Sequence, residues 1–293
     1  MGEIEHVAII GGDRRQIQLV NMMEKCVDQI SVVGFDQQTF PAANVTTCKL
    51  SEVPWKRLTA ILFPVSGVDQ DGTVESSCEE TLKVTQEMLT SRATGCKIFT
   101  GIMTDFLRNP QVIRDVVCWM ERDDVAIYNS VPTAEGVLML AMQNTPHTIH
   151  RAVCTVLGFG RCGLTIAHLL KAVGATVTVI TDDEVEKARA HQEGHLVAGL
   201  HQMEIPLSKA DICINTIPAP VIMGNILQKI KKACYILDIA SAPGGVDVER
   251  AKQLGFAAEK APGLPAKVAP ETAGEILAQV TLAVLNSEIK KGR

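Results

Sequence analysis

The stretch "VLGFGRCGLTIAHLL", residues 156–170, decides the fold. An apolar run leads into Gly158, Gly160 and Gly163, which complete G-x-G-x-x-G, and a helix-periodic run follows. That context gives an otherwise weak motif its meaning. Gly158 allows a tight turn, Gly160 lets a pyrophosphate approach the backbone, and Gly163 lets helix and strand pack closely. The helix start then offers unpaired N–H groups and a positive dipole end to phosphates. Phe159, Arg161 and Cys162 fill the intervening positions and join the glycines as expected cofactor-binding residues.

Working outward, alternating strands and helices flank this motif on both sides. Downstream, "AVCTVLG" (152–158), "TVTVI" (176–180), "DICINT" (211–216) and "CYILDIA" (234–240) read as strands, with a weaker one near 256–261. Upstream, "VAII" (7–10), "ISVVGFD" (30–36), "AILFPV" (60–65), "CKIFTG" (96–101) and "VAIYNS" (125–130) read likewise. The segments 76–89 and 109–122 carry helical spacing. Such alternation predicts parallel sheets covered on both faces. The expected fold class is therefore α/β with two domains, the second a Rossmann-type dinucleotide-binding domain.

The expected partition is 1–131 for an N-terminal substrate-side domain and 132–150 for a connecting helix and linker. Residues 151–272 would form the NAD(P)-binding domain, with 273–293 a C-terminal helix returning to the first domain. Pro132 and Thr133 read as start signals for the connecting helix, and Glu135 near that start reads as a capping carboxylate ahead of a group for proton transfer.

The N-terminal "GGDRRQ" has Gly11 and Gly12 but no third glycine. It reads as a loop at a strand's carboxyl end, where open α/β sheets bind ligands. Asp13, Arg14 and Arg15 are candidates there for a charged small molecule. Lys267 joins them from "APGLPAKVAPETAG" (261–274), too rich in Pro and Gly for an element interior. On the nucleotide side, Asn215, Thr216 and Pro218 end one strand, and Asp238 and Ser241 end another. Thr181 and Asp182 end the strand that selects the ribose. An acid there favours NAD, whereas Thr181 at the usual distance tolerates a 2′-phosphate, so spacing leaves the choice open.

Composition narrows the classes. The 293 residues suffice for two domains, and a net charge of −5 without a basic run argues against nucleic acid. Nine cysteines without a CxxC pair read as reduced, small hydrophobes. No signal peptide and no run of about 18 apolar residues is evident, so a soluble cytoplasmic protein is expected. The histidines show no metal-ligand spacing, and no metal is expected. HExxH, Walker and GxSxG patterns are absent.

Five stretches in order carry a specific match: "NSVPTAEGVLMLAMQNTPHTIH", "VLGFGRCG", "CINTIPAPVI", "LDIASAPGGVD" and "PGLPAKVAPETAG". With "VAIIGGDRRQ" and "VVGFDQ", they resemble the dipicolinate synthase A-subunit family of spore-forming bacteria over nearly the whole chain. More distantly the layout is similar to D-2-hydroxyacid dehydrogenases and adenosylhomocysteinase. The resemblance implies oxidation of dihydrodipicolinate, formed from 4-hydroxy-tetrahydrodipicolinate, to pyridine-2,6-dicarboxylate during sporulation. It implies NADP as electron acceptor, a flavoprotein-like B subunit of dipicolinate synthase for a partner, a homo-oligomer and the mother-cell cytoplasm. The family often carries a basic residue where this chain has Thr181-Asp182, which departs from an NADP site. Two alternatives stand beside it. One is a nucleotide-holding subunit that works only with a partner, suggested by the lack of a His–carboxylate pair. The other, a 2-hydroxyacid dehydrogenase, lacks its arginine in "LDIASAPGG".

Overall fold

The computed structural model describes residues 4–78 and 80–291. The chain divides into two compact units, one of residues 1–126 with 270–293, the other of 127–269. Each is built on a six-stranded parallel sheet.

The first unit runs β1 (Ile4–Ile10), α1 (Arg14–Met23), β2 (Val27–Val33), β3 (Val45–Thr47) and β4 (Ala60–Leu62). A two-stranded antiparallel hairpin, β5 (Thr73–Val74) and β6 (Leu82–Lys83), and a short helix α2 (Gln86–Thr90) precede β7 (Lys97–Thr100) and β8 (Val116–Cys118). The strand order is β3-β2-β1-β4-β7-β8. Omitting the hairpin, this is the 3-2-1-4-5-6 order of doubly wound folds. The last helix, α10 (Pro270–Lys291), packs on α1. Any side chain at Gly274 would strike the Arg15 backbone, and Ile276, Leu277 and Val280 join Ile9, Leu19 and Leu62 in one buried cluster. Trp119 anchors α10 further, its indole Nε1–H donating to the buried Thr281 hydroxyl at 3.1 Å.

The second unit contains most of α3 (Asp123–Asn144), then β9 (Val153–Leu157), α4 (Arg161–Ala172), β10 (Thr176–Ile180), α5 (Glu184–Gln192) and β11 (Leu196–Ala198). It continues through α6 (Glu204–Leu207), β12 (Ile212–Asn215), α7 (Gly224–Leu227), β13 (Tyr235–Asp238), α8 (Val248–Gln253), β14 (Ala258–Lys260) and α9 (Leu264–Val268). Its order, β11-β10-β9-β12-β13-β14, repeats that of the first unit.

Several expectations are corrected. "VAIYNS" is not a strand but lies in α3, because the acids at its start suit a helix N-terminus: Val125 N–H donates to Asp124 Oδ1 at 2.8 Å. Pro132 therefore sits inside the helix, not at its start, and Glu135 is an exposed mid-helix residue that caps nothing. The helix tolerates the proline while Thr133 Oγ1 donates to the Asn129 carbonyl at 2.7 Å and Ser130 Oγ to Ile127 at 2.7 Å. The segments read as helical at 76–89 and 109–122 instead hold β6, α2, β8 and short 3₁₀ turns. Finally, Lys267 lies on the short helix α9 rather than in a loop.

By length and composition α3 is apolar enough to cross a membrane, yet Ala134, Val137 and Ala141 on it are buried in the core of the second unit. All nine cysteines are free, and burial pushes the Cys96, Cys154 and Cys213 thiols up to about 12.

Candidate functional site

The two sheets each place a glycine turn at the carboxyl end of their first strand, beside the point where strand order reverses. What distinguishes them is the start of the following helix. α1 opens on Asp13, whose carboxylate accepts Arg15 N–H at 2.9 Å while Gln16 Oε1 accepts Asp13 N–H at 3.0 Å. That capping box fills the helix N-terminus with the chain's own anion. Asp13 also holds Arg15 in a bidentate pair, Nη2 to Oδ2 at 2.8 Å and Nε to Oδ1 at 3.0 Å. Burial works against this carboxyl, but the Arg15 guanidinium holds it below the usual carboxylate range. Arg14 is exposed beside the pair.

α4, by contrast, opens on Gly160 with no side-chain cap. Its first turn keeps N–H groups for an external anion. The three glycines carry distinct burdens. Gly158 has φ +84°, and a side chain there would lie 2.6 Å from Thr216 Oγ1. Gly163 has no room at all: a Cβ would lie 2.9 Å from the Gly158 carbonyl carbon and nearer still to its oxygen. Gly160 is exposed, with only Glu186 Oε1 within 4 Å of a notional Cβ, at 3.6 Å. Those features fit a dinucleotide: a sharp turn, a helix pressed on its strand, and bare backbone at the mouth.

The other expected cofactor residues divide. Phe159 is fully buried, its ring 5.6 Å from that of His195, so only its backbone faces the site. Cys162 is partly buried against the core, and burial raises its thiol. Arg161 is the first residue of α4 and is exposed. Asn215 and Asp238, both fully buried, are bonded to each other, Nδ2 to Oδ1 at 2.9 Å. Asp238 further accepts the N–H groups of Ala240 (3.2 Å), Gly245 (2.9 Å) and Val246 (3.2 Å), and Asn215 donates to the Ile217 carbonyl at 3.0 Å. Thr216 donates to the Leu157 carbonyl at 2.8 Å. These three side chains shape the loops after β12 and β13; Pro218 and Ser241 are the exposed members of those loops.

At the end of β10 the acids are distributed unexpectedly. Asp182 Oδ1 accepts Leu200 N–H at 2.8 Å, and Asp183 caps α5. The carboxylate that reaches the glycine loop is Glu186, which sequence reasoning missed. Its Oε2 accepts Phe159 N–H at 2.9 Å and the Thr181 hydroxyl at 2.6 Å. The spacing of Glu186 from Asp183 is that of a capping box, yet it reaches past the helix start to the loop, and Asp183 N–H donates to Thr181 Oγ1 instead.

A second cluster also went unread. His168 Nε2 lies 2.5 Å from Glu193 Oε2, with His195 Nε2 at 3.9 Å from the same oxygen. The three ligand-type atoms fall within 4.8 Å of one another, so these residues could hold a metal ion. His195 is buried with no hydrogen-bond partner on either ring nitrogen. Burial, then the charges of Lys171 and His168, lower its pKa against the pull of Glu193.

Residues 6–113 match the family described as the N-terminal domain of the dipicolinate synthase A subunit. The chain is 40% identical over 289 residues to the dipicolinate synthase A subunit of Bacillus subtilis (strain 168), covering 97% of this chain and 96% of that protein. Among solved structures it is similar to the dipicolinate synthase A chain from Bacillus subtilis (38% identity, TM-score 0.94, 100% and 99% of the two chains). The A-subunit structure from Bacillus halodurans is similar too (40%, TM-score 0.92, 97% and 99%). A transhydrogenase from Sinorhizobium meliloti (14%, TM-score 0.63, 97% and 94%) shares the fold alone.

Proposed function

Because the chain belongs to the family of dipicolinate synthase A subunits, we propose that it catalyses the NAD(P)-linked oxidation of dihydrodipicolinate to pyridine-2,6-dicarboxylate. The observation that carries this reading is the 40% identity spread over 97% of the chain, which includes the uncapped glycine turn at α4. Its dehydrogenase-like fold and family name both point to an oxidoreductase.

The reaction removes a hydride and a proton from a dihydropyridine and leaves an aromatic ring, so it runs downhill. The protein's task is then to hold the reacting atoms in register. When bound, the nicotinamide accepts the hydride. Gly158, Gly160 and Gly163 with the first turn of α4 would hold its pyrophosphate, and the loops after β12 and β13, including Pro218 and Ser241, would shape the remaining wall. For the substrate's carboxylates we assign Arg14 as the principal cation and Arg15 as a donor steadied by Asp13. The family name implies a partner; we take it to be the flavoprotein-like B subunit.

A second reading, a nucleotide-holding subunit completed by that partner, draws support from the Asp13–Arg15 pair, which already engages one of the two loop arginines. Freshly generated dihydrodipicolinate with NAD or NADP, with and without the B subunit, separates the two. Reduced nicotinamide and pyridine dicarboxylate forming together with this chain alone support the first reading. Turnover only with the partner supports the second, and bound nucleotide with no turnover in either arm would overturn both.

A further inference from the structure

We infer that this chain selects NAD over NADP, and that Glu186 is the residue that does it. The inference rests on the nucleotide-binding reading above and goes beyond it by assigning the selecting group. In this fold the strand end that follows the glycine helix is where the adenosine ribose is read. An acid there accepts from a free 2′-hydroxyl, and a cation accommodates a 2′-phosphate.

Here the residue just past β10, Thr181, is 4% exposed and carries no charge. Asp182 is turned to Leu200 N–H, and Asp183 is spent on the first turn of α5. Of these acids, Glu186 is the one that returns from the helix to the glycine loop. One oxygen, Oε2, is fixed between Phe159 N–H and the Thr181 hydroxyl. That leaves Oε1 beside Gly160, 3.6 Å from where a side chain would begin. An immobilised carboxylate whose second oxygen stands beside the loop is an acceptor suited to a hydroxyl. It repels a phosphate dianion. The surroundings add to this: Asp182, Asp183, Glu184 and Glu186 place four acids in five residues, and the adjacent Lys187 is paired with Glu184 at 2.8 Å.

The test is titration calorimetry on the full-length chain with NAD, NADP, ADP-ribose and 2′-phospho-ADP-ribose. NAD should bind at least about tenfold more tightly than NADP, and ADP-ribose should beat its 2′-phosphorylated form by a similar factor. Glu186→Gln retains an oxygen for Phe159 and Thr181 while removing the charge. It should weaken NAD about tenfold, leave NADP unchanged or improved, and so collapse the preference. Thermal unfolding of the variant without ligand verifies that the loop is intact. NADP binding as tightly as NAD would overturn the inference and leave the nucleotide reading standing. So would a Glu186→Gln variant that loses both nucleotides in equal measure, since that marks a merely structural prop. Failure of all four compounds to bind would overturn the nucleotide reading itself.

Discussion

Replacing Gly163 by alanine tests the packing of α4 on β9 directly. The new methyl would sit 2.9 Å from the Gly158 carbonyl carbon and nearer to its oxygen, where neither atom belongs to a flexible side chain. Relief therefore requires α4 to retreat from β9 by about 1 Å, the shortfall from ordinary contact. Overpacking of this kind costs about 3 kcal/mol, at the upper end of its usual range because backbone is what must move. Alanine regains about 1 kcal/mol of helix propensity, which leaves a net loss near 2 kcal/mol. For a unit of this size that lowers Tm by roughly 4–8 °C. Gly160→Ala is the control: its φ is −73° and the space is open, so Tm should move by less than about 2 °C. Differential scanning calorimetry on both variants decides the matter, read on the transition of residues 127–269 if the two units melt apart. A Gly163→Ala protein that melts with the wild type would refute the account of why three glycines are needed.

Asp238→Asn removes the charge that accepts three backbone N–H groups and the Asn215 amide. Charged hydrogen bonds of this kind are worth about 1.5–3 kcal/mol, so denaturant unfolding should show a loss of about 3 kcal/mol. Thr281→Val keeps shape but leaves the buried Trp119 N–H without its acceptor, a loss of about 1–3 kcal/mol, whereas Thr281→Ser should remain near wild type in the same assay. His195 resists protonation when folded and accepts it when unfolded, so its contribution is fully present above about pH 6.5 and is lost as pH falls below that value. Tm plotted against pH should therefore be flatter on the acid side for His195→Leu, and parallel curves would contradict the assignment. Arg14→Ala should leave Tm unchanged and weaken binding of pyridine-2,6-dicarboxylate by about tenfold in calorimetry, because Arg14 is exposed beside the committed Asp13–Arg15 pair.

Glycine spacing and apolar periodicity were enough to read β9, α4, β10, β12 and β13, because each is a buried run bounded by turn residues. The edge strands β3 and β11 escaped, being three residues long and largely unburied, with no run to read. β8 was hidden in "DVVCW", where apolar neighbours fit a helix as well as a strand. The nucleotide glycines were legible because backbone geometry demands them. Glu186 was not, because its role depends on how α5 folds back across the loop, six residues beyond the end of β10. Asn215 and Asp238 were noticed for their position, yet their chemistry is turned inward, a distinction that only burial reveals.

The first unit is made of two separated stretches, 1–126 and 270–293, with the whole glycine-loop unit between them. During vectorial synthesis, the sheet of β1, β2 and β4 leaves the ribosome without α10, the helix that covers Ile9, Leu19 and Leu62. At 5–20 residues per second, about 10–45 s pass between completion of those strands and arrival of their cover. The intervening unit is contiguous and can mature in that interval, so order of completion reverses order of translation. A nascent chain stalled before residue 270 thus presents a finished nucleotide fold beside an open apolar face, and the quality-control machinery of the cell would meet it in that form.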